Sequence, residues 1–95
     1  MAYYIYIITN KERTSLYIGV TRSIRVRLRY HRKKVGTNLS WAGRHHCEYL
    51  IYYEEFKWIL NAIRREKQLK GWRRSKKEWL INRINPDWEE LAEPG

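Results

Sequence analysis

The hydrophobic and polar positions near the start of the chain predict a β-hairpin. Positions 3 to 8, YYIYII, are all β-branched or aromatic, which is typical of a buried strand. The polar segment from Thr9 to Ser15 predicts a hairpin loop, so Leu16 to Val20 should return as an antiparallel second strand. The chain is thus expected to open with two paired strands.

The expected register of this hairpin gathers tyrosines and a glycine on one face. If the strands pair symmetrically about the loop, Tyr6 lies opposite Tyr17. Gly19 then lies opposite Tyr4, on the same face as the other two tyrosines. A shallow space is therefore expected on this face, because glycine has no side chain to fill it.

The following segment predicts an amphipathic helix whose apolar stripe contains a titratable residue. The helix should begin at an N-cap on Thr21 or Ser23 and end near Gly36. Helical periodicity aligns four residues on the inward face: Ile24, Leu28, His31 and Val35. Arg27 lies one turn before His31, at the edge of that face. A cation and an imidazole are therefore aimed at one spot, which is unusual for a helix that only fills a core.

The middle of the chain predicts a third strand and a second helix. Gly36 to Arg44 contains two glycines and several polar residues, and is expected to be a loop. Cys47 to Glu54 is apolar and aromatic almost throughout, which predicts a buried strand. A helix should follow from about Lys57 and end at Gly71.

The C-terminal part predicts one more helix and an acidic tail. Ser75 and Glu78 have the spacing of a capping box, so a helix should begin there. Asn85-Pro86 should end this helix, and the segment from Asp87 to Glu93 is expected to be frayed. The order is therefore β-β-α-β-α-α, a small α+β domain with a three-stranded sheet.

Length and composition indicate a single domain over residues 1–95. Hydrophobic residues make up 43% of the chain and aromatic residues 15%, enough to form one small core. The lone Cys47 cannot form an internal disulfide, and the N terminus lacks the features of a signal peptide. We therefore expect a cytoplasmic protein.

The formal net charge of +10, from 20 Lys and Arg against 10 Asp and Glu, predicts a polyanionic partner. Nucleic acid is the first candidate. A membrane surface is the second, although the apolar runs are too short to span a bilayer. The basic residues around the first helix are candidates for phosphate contacts: Arg22, Arg25, Arg29, Arg32, Lys33 and Lys34.

Glu66 is the only acid in the strongly basic stretch between Arg64 and Lys77. Helical phase places it on the inward face, with Ile59, Ala62, Ile63 and Leu69. The phase directs the opposite side of the helix away from the core: Arg64, Arg65, Lys67 and Gln68. Glu66 can form an ion pair with Lys70 one turn later, or it can hold a divalent cation such as Mg²⁺.

Four other residues each have a structural and a functional interpretation. Tyr6 and Tyr17 can be an aromatic pair that stabilises the hairpin, or one of them can act as a general base with a lowered pKa in a positive pocket. Arg27 can belong to a solvated basic face or can contact a phosphate. His31 can be a hydrogen-bonded residue of the interior or a catalytic group.

Two further motifs carry weaker signals. His45-His46-Cys47 suggests zinc, but adjacent residues of a strand point to opposite faces and no fourth ligand is evident. The tryptophans can stack on bases or pack in the core and at its rim. They are Trp41, Trp58, Trp72, Trp79 and Trp88.

Tyr4-Ile5-Tyr6, then Tyr17-Ile18-Gly19 about ten residues later, resembles the GIY-YIG endonuclease superfamily. Arg27, ten residues beyond the second motif tyrosine, and Glu66 on a later helix complete the pattern. The resemblance covers nearly the whole chain and is closest to the small single-domain bacterial members. It departs from the family at Tyr4, which stands where the motif has its first glycine.

The resemblance implies a three-stranded antiparallel sheet flanked by helices and a metal-dependent hydrolysis of phosphodiester bonds. Tyr6 and Tyr17 would be the motif tyrosines, Arg27 the catalytic arginine and His31 the residue one turn later. Glu66 would be the single ligand of Mg²⁺ or Mn²⁺. Gly19 would let the backbone approach the substrate.

These implications leave two principal functions open. The first is a DNA endonuclease that is structure-directed or weakly sequence-specific, since the chain has no second module to supply sequence recognition. The second is a non-catalytic nucleic-acid-binding module that uses the same basic face. A protein partner that supplies specificity is a further hypothesis.

Overall fold

The computed structural model describes residues 1–94 and confirms the order β-β-α-β-α-α, with one additional helical turn. The elements are β1 (Tyr3–Thr9), β2 (Leu16–Thr21), α1 (Ile24–Lys34), the one-turn α2 (Trp41–Arg44), β3 (Tyr49–Phe56), α3 (Ile59–Lys70) and α4 (Arg74–Asn82). None of the helices within residues 1–94 combines the length and the apolar character needed to span a bilayer.

The three strands form one antiparallel sheet in the order β2-β1-β3, with helices on both faces. Because side chains alternate along β1, Ile5 and Ile7 point to one face and Tyr6 and Ile8 to the other. The first pair packs with residues of α3 and α4, and the second with residues of α1 and α2. Two small cores therefore lie on either side of the central strand.

The predicted hairpin register is wrong by two residues. Tyr6 lies opposite Gly19, and Tyr17 lies opposite Ile8. Thr9, which was expected in the loop, pairs with Leu16 and so belongs to β1. A shift of two residues keeps every side chain on its predicted face, since strand side chains alternate with a period of two. The register error therefore changes which residues touch, but not which face they share.

One of the two predicted N-caps of α1 is confirmed, whereas the predicted start of α4 is wrong. Ser23 is the N-cap of α1, and its side chain accepts a hydrogen bond from the N–H of Val26. The capping box at Ser75 does not form, because the N-cap of α4 is Arg73, two residues earlier. Glu78 instead forms an ion pair with Arg74, at 2.9 Å, and so supports the helix from its exposed side.

The acidic tail was expected to be frayed, but it is fastened to the sheet. The buried Asn85 side chain donates to the carbonyls of Ile51 and Glu89 and accepts from the N–H of Glu89. The N–H of Leu91 donates to the carbonyl of Leu50 at 2.8 Å. The tail therefore runs beside β3, where Leu91 packs against the core on the Tyr6 face.

Candidate active site

Gly19 makes room for Tyr6, which is fully buried beside it. A Cβ atom built on Gly19 would lie 2.5 Å from the Tyr6 hydroxyl oxygen and 2.6 Å from Cζ. No side chain fits at such distances, so the Tyr6 ring can lie across β2 only because position 19 is glycine. The space predicted at Gly19 thus exists and is filled by Tyr6. The backbone approach to substrate expected there remains a prediction.

His31 meets Tyr6 from the opposing helix α1. The Tyr6 hydroxyl lies 2.8 Å from Nε2 of His31, and both side chains are buried. Burial and, to a smaller extent, the charge of the nearby Arg27 guanidinium together lower the pKa of His31 to about 4. His31 is therefore neutral at pH 7.

Tyr6 does not have the lowered pKa expected of a general base. Burial raises the pKa of its hydroxyl to about 12, against the opposing effect of Arg27. The charge of Glu66 raises this pKa as well, which places the carboxylate within electrostatic range of the Tyr6 hydroxyl. The prediction of an easily ionised tyrosine is wrong for Tyr6.

Tyr17 occupies the more open part of the same cluster. It is half-buried, and its ring centroid lies 5.1 Å from that of His31 and 6.3 Å from that of Tyr6. Two strands and one helix therefore bring the predicted tyrosines and histidine together, with Tyr17 nearest to solvent.

Arg27 reaches this cluster from the turn of α1 that precedes His31. Interaction with the Tyr6 hydroxyl raises the pKa of the Arg27 guanidinium, which therefore keeps its charge. The guanidinium carbon lies 4.7 Å from the centroid of the Tyr30 ring. Within residues 1–94, neither Nε of Arg27 nor Nδ1 of His31 has a hydrogen-bond partner, although both atoms are buried. The Nε–H of Arg27 is a donor, and Nδ1 of His31 is a second donor when the Tyr6 hydroxyl donates to Nε2. A buried donor without a partner is costly, so an acceptor at this position would be favourable.

Glu66 lies on the inward side of α3 and is half-buried. Its carboxylate forms the predicted ion pair with Lys70, at 3.3 Å, and Lys70 is largely exposed. Such a surface pair contributes little to stability and leaves carboxylate oxygens free for another cation. Glu66 is therefore available as a single carboxylate anchor for a divalent ion.

Arg65 was expected to point away from the protein, but it fastens α3 to the sheet. Its Nε and Nη2 donate to the two carboxylate oxygens of Glu54 on β3, at 2.8 and 2.9 Å. The Tyr52 hydroxyl donates to the same carboxylate. This bidentate pair fixes the helix that carries Glu66. Its sequence signal is Glu54, an acidic residue near the end of a mostly apolar and aromatic strand.

The predicted phosphate-binding residues in and before α1 differ in their partners. Arg22, Arg29 and Lys33 are exposed, and Lys34 is half-buried with its Nζ 5.5 Å from the Tyr30 ring centroid. Arg25 and Arg32 are exposed too, and they form ion pairs with Glu93 and Glu90 of the tail. Their role in nucleic-acid binding remains a prediction.

The zinc motif forms no metal centre in the part of the chain that the structure describes. Cys47 is buried, whereas His45 and His46 are exposed. Residues 1–94 contain no group of three or more His, Cys, Asp or Glu side chains that could hold a metal ion. The role of Glu66 as a metal ligand remains a prediction.

Comparison with known proteins identifies the class to which this fold and site belong. The family model of the GIY-YIG catalytic domain matches residues 2–79, so the chain belongs to the GIY-YIG family. This is a family of nucleases, generally dependent on divalent metal ions, and a nuclease domain implies a nucleic-acid substrate.

One solved structure is similar to this chain in sequence and in fold. The solution NMR structure of the UPF0213 protein BH0048 from Bacillus halodurans is 29% identical to this chain, with a TM-score of 0.58. The match covers 95% of this chain and 93% of that one. A search of curated proteins finds no match. The family and the fold predicted from the sequence are thereby confirmed.

Proposed function

We propose that this protein is a metal-dependent DNA endonuclease whose active site consists of Tyr6, Tyr17, Arg27, His31 and Glu66. The observation that carries the proposal is the pair of buried polar atoms without partners, Nε of Arg27 and Nδ1 of His31, beside these tyrosines. A plain core would satisfy such atoms or exclude them. A phosphate oxygen at this position would supply an acceptor.

Each side chain then has a distinct task in phosphodiester hydrolysis. Arg27 donates to the phosphate and stabilises the negative charge that develops on it. Tyr17 is the more exposed of the two tyrosines, and its phenolate form takes one proton from the attacking water. The resulting hydroxide forms the new P–O bond as the bond to the leaving oxygen breaks, and that oxygen takes up a proton from solvent. The neutral His31 orients the tyrosines, and Tyr6 is a positioning residue because its raised pKa keeps it protonated.

Glu66 is the residue that would hold Mg²⁺ or Mn²⁺. The bound ion would act as a Lewis acid on the phosphate. A carboxylate within electrostatic range of Tyr6, in a region otherwise rich in cations, fits this task. Since one carboxylate is a sparse ligand set, the ion is expected to bind weakly without DNA and more tightly with it.

The substrate is proposed to be DNA recognised by its phosphates and shape. The exposed basic residues of α1 supply contacts that do not depend on sequence. A partner protein would supply sequence preference if the function requires it. The alternative function is a binding module without catalysis, which the same basic surface would serve.

The test is cleavage of labelled duplex, flapped, branched and single-stranded DNA with Mg²⁺ or Mn²⁺. The wild type should cut at least one of these substrates, and Glu66→Gln should abolish cutting while DNA affinity remains. Glu78→Gln is the matched control, because Glu78 forms the same kind of i,i+4 ion pair on α4. Tight DNA binding by the wild type with no cleavage of any substrate would favour the binding module.

A further inference from the structure

An exposed tryptophan lies directly beside the proposed active site. Trp41, the first residue of α2, is 42% exposed. Its ring is nearly parallel to that of Tyr17, with an angle of 26° and a centroid distance of 6.4 Å. The His45 ring packs against the same indole, with centroids 4.1 Å apart. Trp41 is thus held by two aromatic neighbours while much of its surface faces solvent.

The turn that carries Trp41 is fastened to the end of α1. The Ser40 hydroxyl caps it by accepting from the N–H of Gly43 at 2.9 Å, and the Gly43 carbonyl accepts from the N–H of Gly36. A Cβ on Gly43 would clash with the Lys34 carbonyl oxygen, so α2 packs as closely as a glycine permits. The position of Trp41 relative to the active site is therefore fixed.

Packing alone does not explain a tryptophan at this position. The neighbouring Ala42, 1% exposed, supplies the contact between this turn and the core. An indole that is fixed in place but exposed to water keeps much of its apolar surface solvated, so it gains little stabilisation from burial. Base stacking uses an aromatic ring of this kind, since every nucleobase offers a π-face.

The charge around Trp41 suits a nucleic acid. No acidic residue occurs between Glu12 and Glu48, whereas Arg44 lies on the same helical turn and Lys34 contacts it. A nucleotide stacked on Trp41 would therefore have cations for its phosphate. Arg27, whose charge interacts with the Tyr17 hydroxyl, would contact a neighbouring phosphate of the same strand.

We propose that Trp41 is a stacking platform for one unpaired nucleobase next to the scissile phosphate. This inference rests on the proposed nuclease function and narrows its substrate class. The faces of a base in a duplex are covered by its neighbours, so stacking on Trp41 requires a nucleotide that is already unpaired or is extruded. The substrate is thus DNA with single-stranded nucleotides at the cleavage site, such as a flap or a junction.

Binding without metal tests the platform independently of cleavage. Fluorescence anisotropy of a labelled flap oligonucleotide in EDTA should show that Trp41→Ala weakens binding roughly 5- to 150-fold, the range typical of base stacking. Trp41→Phe should retain most of the affinity. Trp79→Ala is the matched control, because Trp79 is 53% exposed beside Arg83 but lies on α4, which packs on the other face of the sheet. Equal affinities for Trp41→Ala and Trp79→Ala would overturn the proposal.

Two further measurements separate stacking from general electrostatics. The slope of log Kd against log salt should be the same for Trp41→Ala and the wild type, because the substitution removes no charge. An abasic nucleotide at one unpaired position should weaken wild-type binding and leave Trp41→Ala unaffected. If both proteins lose the same affinity at every abasic position, Trp41 does not stack on a base.

The outcomes also separate this inference from the proposed function. If the wild type cuts DNA and Trp41→Ala cuts flap and duplex substrates in the wild-type ratio, the nuclease stands and the platform is wrong. If the abasic effect depends on Trp41 but no substrate is cut, the platform stands as part of a binding module. A melting temperature close to that of the wild type establishes that Trp41→Ala is folded.

Discussion

The hydroxyl of Tyr6 lies 2.8 Å from Nε2 of His31, inside a core where both side chains are buried. This hydrogen bond joins the central strand to α1, the helix that also carries Arg27. The same hydrogen bond therefore stabilises the fold and positions the candidate active site. A substitution that removes either polar group leaves the other buried without its partner.

Removing this hydroxyl should destabilise the protein. Tyr6→Phe leaves the ring in place but deprives His31 of its partner, and we expect a loss of about 1–3 kcal/mol in the free energy of unfolding. Urea denaturation measures this loss. Tyr53→Phe is the control, since Tyr53 is a half-buried tyrosine of β3 packed on the same core. Equal losses for the two variants would contradict the role given to the hydrogen bond.

The lowered pKa of His31 predicts that the folded protein becomes less stable as the pH is lowered. The folded protein disfavours the imidazolium, with a pKa of about 4 against 6.5 for an unperturbed histidine. Between these values the unfolded chain binds the proton more readily, so the contribution is complete above pH 6.5 and is lost as the pH falls towards 4. We expect a decrease of roughly 2 kcal/mol between pH 7 and pH 5.

The control for this effect is a variant without a titratable group at position 31. His31→Gln should show a flatter dependence of the free energy of unfolding on pH over the same interval. His45 and His46 remain in that variant, so any contribution from them persists. An unchanged slope would show that His31 does not cause the pH dependence.

Gly19 should tolerate no larger residue. In Gly19→Ala the new methyl group meets the Tyr6 ring at 2.5 to 2.8 Å, and displacing a buried ring is expected to cost about 1–3 kcal/mol. Nuclease activity of Gly19→Ala should also decrease, because Tyr6 positions His31. Gly71→Ala is the control: its nearest neighbours lie at 3.5 and 3.6 Å and its φ is −80°. Thermal unfolding of both variants checks the difference.

The pair of Arg65 and Glu54 should stabilise α3 and hold Glu66 in place. Arg65→Met keeps much of the side-chain volume but leaves the half-buried carboxylate unpaired, and we expect a loss of about 1.5–3 kcal/mol. Arg64→Met, on the exposed side of the same helix, should change stability little. Titration of Mg²⁺ in a cleavage assay should show a larger half-saturating concentration for Arg65→Met only.

The residues that could be predicted from sequence are those fixed by periodicity. Alternation placed Tyr6 and Tyr17 on one face of the sheet, and the helical repeat placed Arg27 and His31 on one side of α1. Their spatial cluster follows from these two rules once α1 packs on that face. Periodicity alone left two roles open for Glu66, an ion pair or a metal ligand. The metal-binding role came from the resemblance of the motifs to the family.

The features that sequence reasoning missed depend on specific polar contacts, within a loop or between distant segments. The hairpin register follows from hydrogen bonds inside the loop, where Asn10 accepts from the N–H groups of Thr14 and Ser15. Asn85 fastens the tail through a strand that lies more than thirty positions earlier. Arg65 lies on the outward side of an ideal helix and reaches Glu54 only because its side chain is long. Periodicity contains no information on such pairings.

The acidic tail should compete with DNA for α1. Glu90 forms an ion pair with Arg32 at 3.1 Å, and Glu93 forms one with Arg25 at 3.5 Å. The backbone hydrogen bond from the N–H of Leu91 to the sheet keeps the tail in place. These pairs are largely exposed, so Glu90→Gln combined with Glu93→Gln should change stability by less than about 1 kcal/mol. Both arginines become available to phosphates, and affinity for DNA should rise at low salt.

The salt dependence distinguishes released arginines from a simple change in net charge. Two additional phosphate contacts should steepen the slope of log Kd against log salt by roughly 1.4 to 1.8. Asp87→Asn combined with Glu89→Gln removes the same charge from the same segment without breaking either ion pair. If this control variant shows the same change in slope, the tail acts through its overall charge. If only the first variant changes, Arg25 and Arg32 belong to the DNA-binding surface and the tail covers them.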